Sequence, residues 1–505
     1  MKEKWRTPEA AAVIAALICG CLTHLFGLVN TMHNYDDIVV QPFGFGSGIA
    51  LGRWLLEILG RFLQHIGWFY NLTWLNGIVF ILMLAIGAGM LCRGLLIQNR
   101  RLAALMGMLF VVFPTVVSSL VFRYTSILYG VGILLALEAC LTVNRKWYGW
   151  LISAGLLTLS LGIYQAYLPL AIGVCVLALL RRSLTGEDPK KLALEGVKTC
   201  CAILLGVIAY YVLLKVFLWA FGASLRSYQG ISTMGKISIR EMPWLVAQAF
   251  LQCLRFVGEN AWNLADSRLL RFTYWMLAVC DLLLLARLLV KGGKRTTLFW
   301  VLTVFLILVF PIAVNFIVVM CPDGSIYTLM QYGFVLVGCV PLVLLDCLNP
   351  AETKGWVTRG VCLFVGLLIA GYIYSDNLNY GANYYYTRQT ENYLNSLMTQ
   401  ARMTEGFTPD KKWAFIGNMD DPMLWGSWSD AETDGGIAHP RDLVNAYSRL
   451  SWFNSYMGCR VEAEDAAVTE ELAKSEEVRA MPCWPSQGSI RIIGDTVVIK
   501  CQNIG

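Results

Sequence analysis

Two adjacent carboxylates, Asp36 and Asp37, stand in the run Met32-His33-Asn34-Tyr35-Asp36-Asp37-Ile38, directly after the first long apolar stretch. Ending a membrane span does not require such a pair, so chemistry at that surface is the alternative. One carboxylate can take the proton of an attacking hydroxyl as a general base. Arg53, Arg123 and Lys215 are the candidate ligands for a departing phosphate, because a guanidinium grips phosphate bidentately and fixed positive charge stabilises the leaving group. Tyr124, Tyr164, Gln165, Asp323 and Tyr327 are candidate substrate contacts. Neither a metal nor a cofactor is expected, since a monophosphate leaving group requires no divalent ion, although the adjacent aspartates could hold one.

Each residue also has a plainer reading. Arg53 with Glu57, or Glu57 with Arg61, is spaced i, i+4 and can simply pair. Arg123 and Lys215 can snorkel from helix ends. Tyr164 and Gln165 can satisfy backbone at a tight turn, and Asp323 in Pro322-Asp323-Gly324 suits a turn.

The elements that must position these residues are membrane helices. The chain has 505 residues, 57% of them hydrophobic and 15% charged, with a mean hydropathy of +0.57, far from a soluble composition. Runs able to cross a hydrocarbon core of roughly 30 Å recur to about residue 375. We place eleven spans at about 9–31, 73–97, 102–122, 124–143, 149–163, 165–181, 197–221, 268–290, 296–320, 328–347 and 358–375. Basic clusters follow every even-numbered span: Arg93, Arg100 and Arg101; Arg145 and Lys146; Arg181, Arg182, Lys190 and Lys191; Lys291, Lys294 and Arg295; Lys354 and Arg359. Positive loops stay inside, so the N-terminus is expected in the cytoplasm and the C-terminus outside. The net charge of +6 follows from those loops and calls for no nucleic acid.

Residues 149–181 form one apolar run too long for a single crossing and basic at both flanks. It must reverse near Gly162-Ile163-Tyr164-Gln165. Outside the membrane, the loop 32–72 carries the acidic pair, a joint at Gly44-Phe45-Gly46-Ser47-Gly48, and an amphipathic surface helix. That helix sets Trp54, Leu55, Ile58, Leu59, Phe62 and Leu63 against Arg53, Glu57, Arg61 and Gln64. The loop 222–267 carries a second interfacial candidate, Trp244 to Val257. After the membrane domain of residues 1–375, residues 376–505 read as a small extracytoplasmic α/β domain. It has helices near 377–403 and 468–479, a strand at 413–417 and a hairpin turning at Gly494-Asp495. Its Cys459, Cys483 and Cys501 allow at most one internal disulfide.

On this topology the candidate residues all face the outer side. A bowl of carboxylates, cations and aromatic rings opening outward suits a charged lipid-linked substrate and a polar acceptor. The stretch after the first span, Gly52-Arg53 heading the surface helix, the Phe122-Arg123-Tyr124 turn and Leu161-Gly162-Ile163-Tyr164-Gln165-Ala166 together resemble the bacterial GtrII-type glucosyltransferase family, part of the broader GT-C class of multi-span glycosyltransferases. The resemblance covers the chain to about residue 375. It implies a polyprenyl-phosphate-linked sugar donor, an external active site and an acidic residue in the first outer loop. The expected activity is inverting transfer of a hexose, glucose in this family, to a cell-surface glycan, with Asp36 or Asp37 as base. Membrane lipid, a donor synthase and a flippase are the expected partners. A transporter or flippase of lipid-linked sugars would instead place ionisable groups near the midplane and show repeated halves. An O-antigen-type polymerase is the third reading, whereas the Trp-Trp-Asp-Tyr-Gly signature of oligosaccharyltransferases is absent.

Overall fold

Thr7 starts the first helix: its hydroxyl accepts from the Ala10 N–H, and Pro8 takes the first helical position. In the computed structural model, which describes residues 7–40, 48–67, 71–226, 238, 240–259, 268–291, 295–322, 326–348, 355–419 and 444–503, this helix is α1, Pro8–Val29. There follow α2 (Tyr35–Val39), α3 (Trp54–His65), α4 (Thr73–Gly94), α5 (Arg100–Val112), α6 (Thr115–Val121), α7 (Arg123–Thr142) and α8 (Gly149–Ile163). Next come α9 (Leu168–Leu184), α10 (Pro189–Ala220), α11 (Met242–Glu259), α12 (Arg268–Lys291), α13 (Thr297–Val314), α14 (Ile317–Met320), α15 (Val335–Asp346) and α16 (Gly355–Met403).

Among the described residues eight helices are long and apolar enough to cross a membrane, or nine if α5 and α6, bent by 42°, form one span. Gly149–Ile163 and Tyr332–Asp346 are shorter apolar helices. The apolar run 149–181 breaks where its length demanded. α8 ends at Ile163, Tyr164 is extended, and Gln165–Tyr167 make a tight turn into α9. The direction reverses there, because Gly149 lies against Thr142, Tyr167 against Gly132, and the Cys140 thiol reaches the Ala171 carbonyl at 3.3 Å.

Close helix packing relies on small residues rather than on a hydrophobic driving force. α1 lies against both α4 and α5, and a Cβ on Gly107 of α5 would stand 2.4 Å from the Ala12 carbonyl oxygen of α1. Polar groups tie the helices at few points. His24 of α1 donates from Nε2 to the Val111 carbonyl at 2.9 Å, and its Nδ1 accepts from Tyr380 Oη at 2.8 Å. At the opposite end of the bundle, Asp346 binds Arg181 at 2.7 Å and accepts the Gln98 and Asn99 N–H groups just ahead of α5.

The surface helix forms as α3, but its polar face differs from the sequence reading. Glu57 is buried, accepting from the Gly48 N–H at 3.1 Å and pairing with Arg61 at 2.7 Å. Phe62 and Ile66 are exposed instead. A carboxylate that closes a turn gains more inside than in water, where the i, i+4 pattern alone would leave it. The joint at 44–47 lies outside the described residues. In the second loop, α11 buries Leu245, Ala249, Cys253 and Phe256.

The last helix runs without a break from Gly355 to Met403, 49 residues or about 70 Å. It carries the chain out of the bundle to a three-stranded sheet. There β1 (Lys412–Ile416) lies parallel to the central β3 (Thr496–Lys500), which pairs antiparallel with β2 (Ile490–Ile493) through the Gly494-Asp495 turn. Helices α17 (Ala466–Lys474) and α18 (Glu476–Ala480) precede β2 in the chain. The cysteines are free thiols. The core of this tail includes Trp413, Trp452, Phe453 and Val497, and it also takes in Ile38 and Tyr35 from the first loop.

Candidate active site

Asn34 caps α2 by accepting the Asp36 N–H at 2.8 Å, which winds Asp36 and Asp37 onto one short helix and aims them in different directions. Asp37 points inward and is 1% exposed. It accepts from the Tyr124 backbone N–H and from the Asn71 side-chain amide, with the Arg123 guanidinium nearby. Burial outweighs these contacts and pushes its pKa up to about 7. Asp36 is half-buried. Its carboxylate accepts from the Tyr447 hydroxyl and feels the charge of Arg53, while desolvation raises its pKa.

Arg53 is aimed at this pair by the turn before it. Gly52 closes the Ile49–Leu51 turn at φ +74°, a conformation that suits glycine. Its carbonyl accepts from Tyr210 Oη at 3.0 Å, and Tyr210 accepts in turn from Gln165 Nε2 at 2.8 Å. Gln165 Nε2 also reaches the Leu51 carbonyl at 3.2 Å. The Arg53 guanidinium then lies over the Tyr164 ring, 4.6 Å from its centroid, and donates to Tyr129 Oη at 3.3 Å. Tyr129 stacks on Tyr164, and Tyr167 meets both edge-on. A cation held on an aromatic face keeps its charge while losing mobility. The competing pair partner is taken: Glu57 binds Arg61.

Arg123 occupies a different position from Arg53. It is buried and donates to the Gly27 carbonyl at 3.1 Å, the Asn30 carbonyl at 3.5 Å and Thr73 Oγ1 at 3.2 Å. It therefore plugs the carbonyl end of α1 and supports Asp37 from behind. Tyr124 lies beside both aspartates and Arg53. The structure does not bring Lys215 to the pair. Lys215 is exposed on α10, its ammonium over the Tyr211 ring at 5.2 Å, on a face shared with Val212, Val216 and Trp219. Asp323 lies outside the described residues. Tyr327 is exposed and precedes Thr328, whose carbonyl accepts from Thr115.

Sequence reading missed Asn71, Tyr129, Tyr210 and Tyr447. Tyr210 is five residues from Lys215, and on a helix that offset puts it on the inner side. A charge was the visible signal on that helix, but the working group is the uncharged ring. Tyr447 is more than four hundred residues from Asp36, and no local pattern pairs them.

Among the described residues no group of three or more His, Cys, Asp or Glu side chains is placed to hold a metal ion. What the arrangement can do is accept a proton at a half-buried carboxylate next to a fixed cation in an aromatic frame. No curated protein and no solved structure matches the chain. One family does, Glucosyl transferase GtrII, over residues 25–338. The matched region takes in Asp36, Asp37, Arg53, Arg123 and the Tyr164-Gln165 turn, and it stops before α16. With well over half of its length inside that match, the chain belongs to the GtrII family of glucosyl transferases.

Proposed function

We propose that this protein transfers glucose from a polyprenyl-phosphate donor to a cell-surface glycan, with inversion, on the external face of the cell membrane. The observation that carries the reading is a half-buried Asp36 that feels the charge of an Arg53 guanidinium held on Tyr164. The acceptor oxygen attacks the anomeric carbon as its proton passes to Asp36. The bond from that carbon to the phosphate oxygen breaks, and its electron pair leaves with the phosphate, which Arg53 stabilises. Apolar helices hold the lipid tail, as their composition allows. Asp37, buried and gripped by Asn71 and the Tyr124 N–H, orients α2 and does not meet the acceptor. Arg123 holds α1 and Asp37 in place; Lys215 stays on the lipid side of α10. Asp323 and Tyr327 remain candidates for the rim. The arrangement of helices is that of a GT-C enzyme with eleven passes, N-terminus in the cytoplasm and tail outside, beside a donor synthase and a flippase. The candidate groups around Asp36 gather at the end of the bundle opposite the Asp346–Arg181 pair, which favours this reading over a transporter with midplane sites.

Purified Asp36→Asn, given polyprenyl-phosphate glucose and surface glycan, should lose about 10²–10⁴-fold in turnover, the usual range for a general base. Asp37→Asn should lose less. Wild-type turnover in Asp36→Asn sinks the assignment.

A further inference from the structure

Asp36 has a contact from a part of the chain outside the first loop. Tyr447 belongs to the tail, beyond the region shared with the family, yet its hydroxyl donates to Asp36. The residue is 57% exposed. An exposed aromatic ring whose polar end is fixed on a carboxylate is a platform open to solvent on its face. Its position is set firmly. Asn445 Oδ1 accepts the N–H groups of Tyr447 and Ser448, each at 3.0 Å, Ser448 is buried, and Trp452 one turn further is fully enclosed against His33. Arg226, from the loop 222–267, lies close enough to Tyr447 to feel its charge, and its own N–H donates to the Ala50 carbonyl at 3.1 Å. The first loop and the tail thus meet at Asp36, and the second loop reaches Tyr447 beside it. The Asp36 carboxylate has the Tyr447 hydroxyl as a hydrogen-bond donor and Arg53 as a neighbouring cation, and Arg226 lies by Tyr447.

We infer that Tyr447 is the acceptor platform: a sugar ring of the incoming glycan packs its C–H face on the exposed Tyr447 ring and turns one hydroxyl to Asp36. The inference rests on the assignment of Asp36 as base and names the residue that presents the other substrate to it. The tail then has a part in substrate choice, while the membrane helices hold the donor. Arg226 borders the platform and meets the polar substituents of the same glycan.

Binding without donor separates this inference from the transfer reaction. The repeat-unit oligosaccharide of the producing cell's surface polysaccharide is titrated calorimetrically into the whole protein with no polyprenyl-phosphate sugar present. Tyr447→Ala should bind about tenfold more weakly than wild type. Tyr447→Trp, which keeps a platform, should bind within about threefold of wild type by the same scale. Thermal unfolding of each variant shows that the tail remains folded. Alanine binding as tightly as wild type, tryptophan binding as poorly as alanine, or no binding by wild type overturns the platform. An active Asp36→Asn with a weakened Tyr447→Ala would instead fault the base and leave the platform standing.

Discussion

His33 and Asp37 are buried four residues apart with opposite protonation demands. Desolvation pushes His33 down to about 3, so it is neutral in the native state, and pushes Asp37 up to about 7. For His33 the unfolded chain, titrating at 6.5, binds the extra proton; stability is full above 6.5 and is lost as pH falls toward 3. For Asp37 the native state binds it; stability is full below 3.8 and is lost as pH rises toward 7. The two slopes oppose each other between 3.8 and 6.5. Asp37→Asn leaves only the His33 slope, so its thermal midpoint should drop more steeply than that of wild type as pH is lowered from 6.5 to 3.8. Parallel midpoint curves for the two proteins would contradict the burial of Asp37. The acidic pair was legible from residue type and location alone. Which member is buried was not, because both follow the same cap and differ only in the neighbours each meets.

At the scale of elements, the turn Ile49–Leu51 and the break between α8 and α9 form one joint. Gly52, Gln165 and Tyr210 bind each other across three segments, and a Cβ on Gly52 would stand 2.5 Å from Gln165 Nε2 and 2.7 Å from Tyr210 Oη. Gly52→Ala combines that clash with a left-handed backbone, a strain of roughly 1–3 kcal/mol. The variant should melt lower than wild type and show a raised KM for the donor, because Arg53 follows directly. An unchanged donor KM would separate Arg53 from the phosphate. The break itself was readable, since an apolar run longer than a bilayer with basic flanks has to reverse. The amphipathic pattern of α3 was readable too, but the burial of Glu57 was not: periodicity reports a face, and here the Gly48 turn supplies partners to the polar one.

For the whole molecule the decisive feature is α16, which leaves the bundle and returns the tail to the first loop. His33 donates its backbone N–H to Thr387 Oγ1 at 3.2 Å and packs its ring on Trp452 and Tyr456. The tail and the acidic loop therefore pack against each other, and the proposed topology puts both outside. A reporter active only outside the cytoplasm, fused after Gly505, should be active, and one fused in the loop 222–267 should agree with it. Activity of a cytoplasmic reporter at Gly505 would overturn the orientation.

Composition and run length determined by themselves that the chain is a bundle of long apolar helices. These are one-dimensional properties, because a membrane sorts segments by length and charge. Family membership was also carried locally, by Asp36-Asp37, Gly52-Arg53 and the Tyr164-Gln165 turn. Only the tertiary structure decided that Asp36 is the accessible carboxylate, that Arg53 and not Lys215 faces it, and that Tyr447 reaches it from the tail. Those relations join segments that in one case are more than four hundred residues apart. Burial and partner geometry, which no spacing along the chain encodes, settle them.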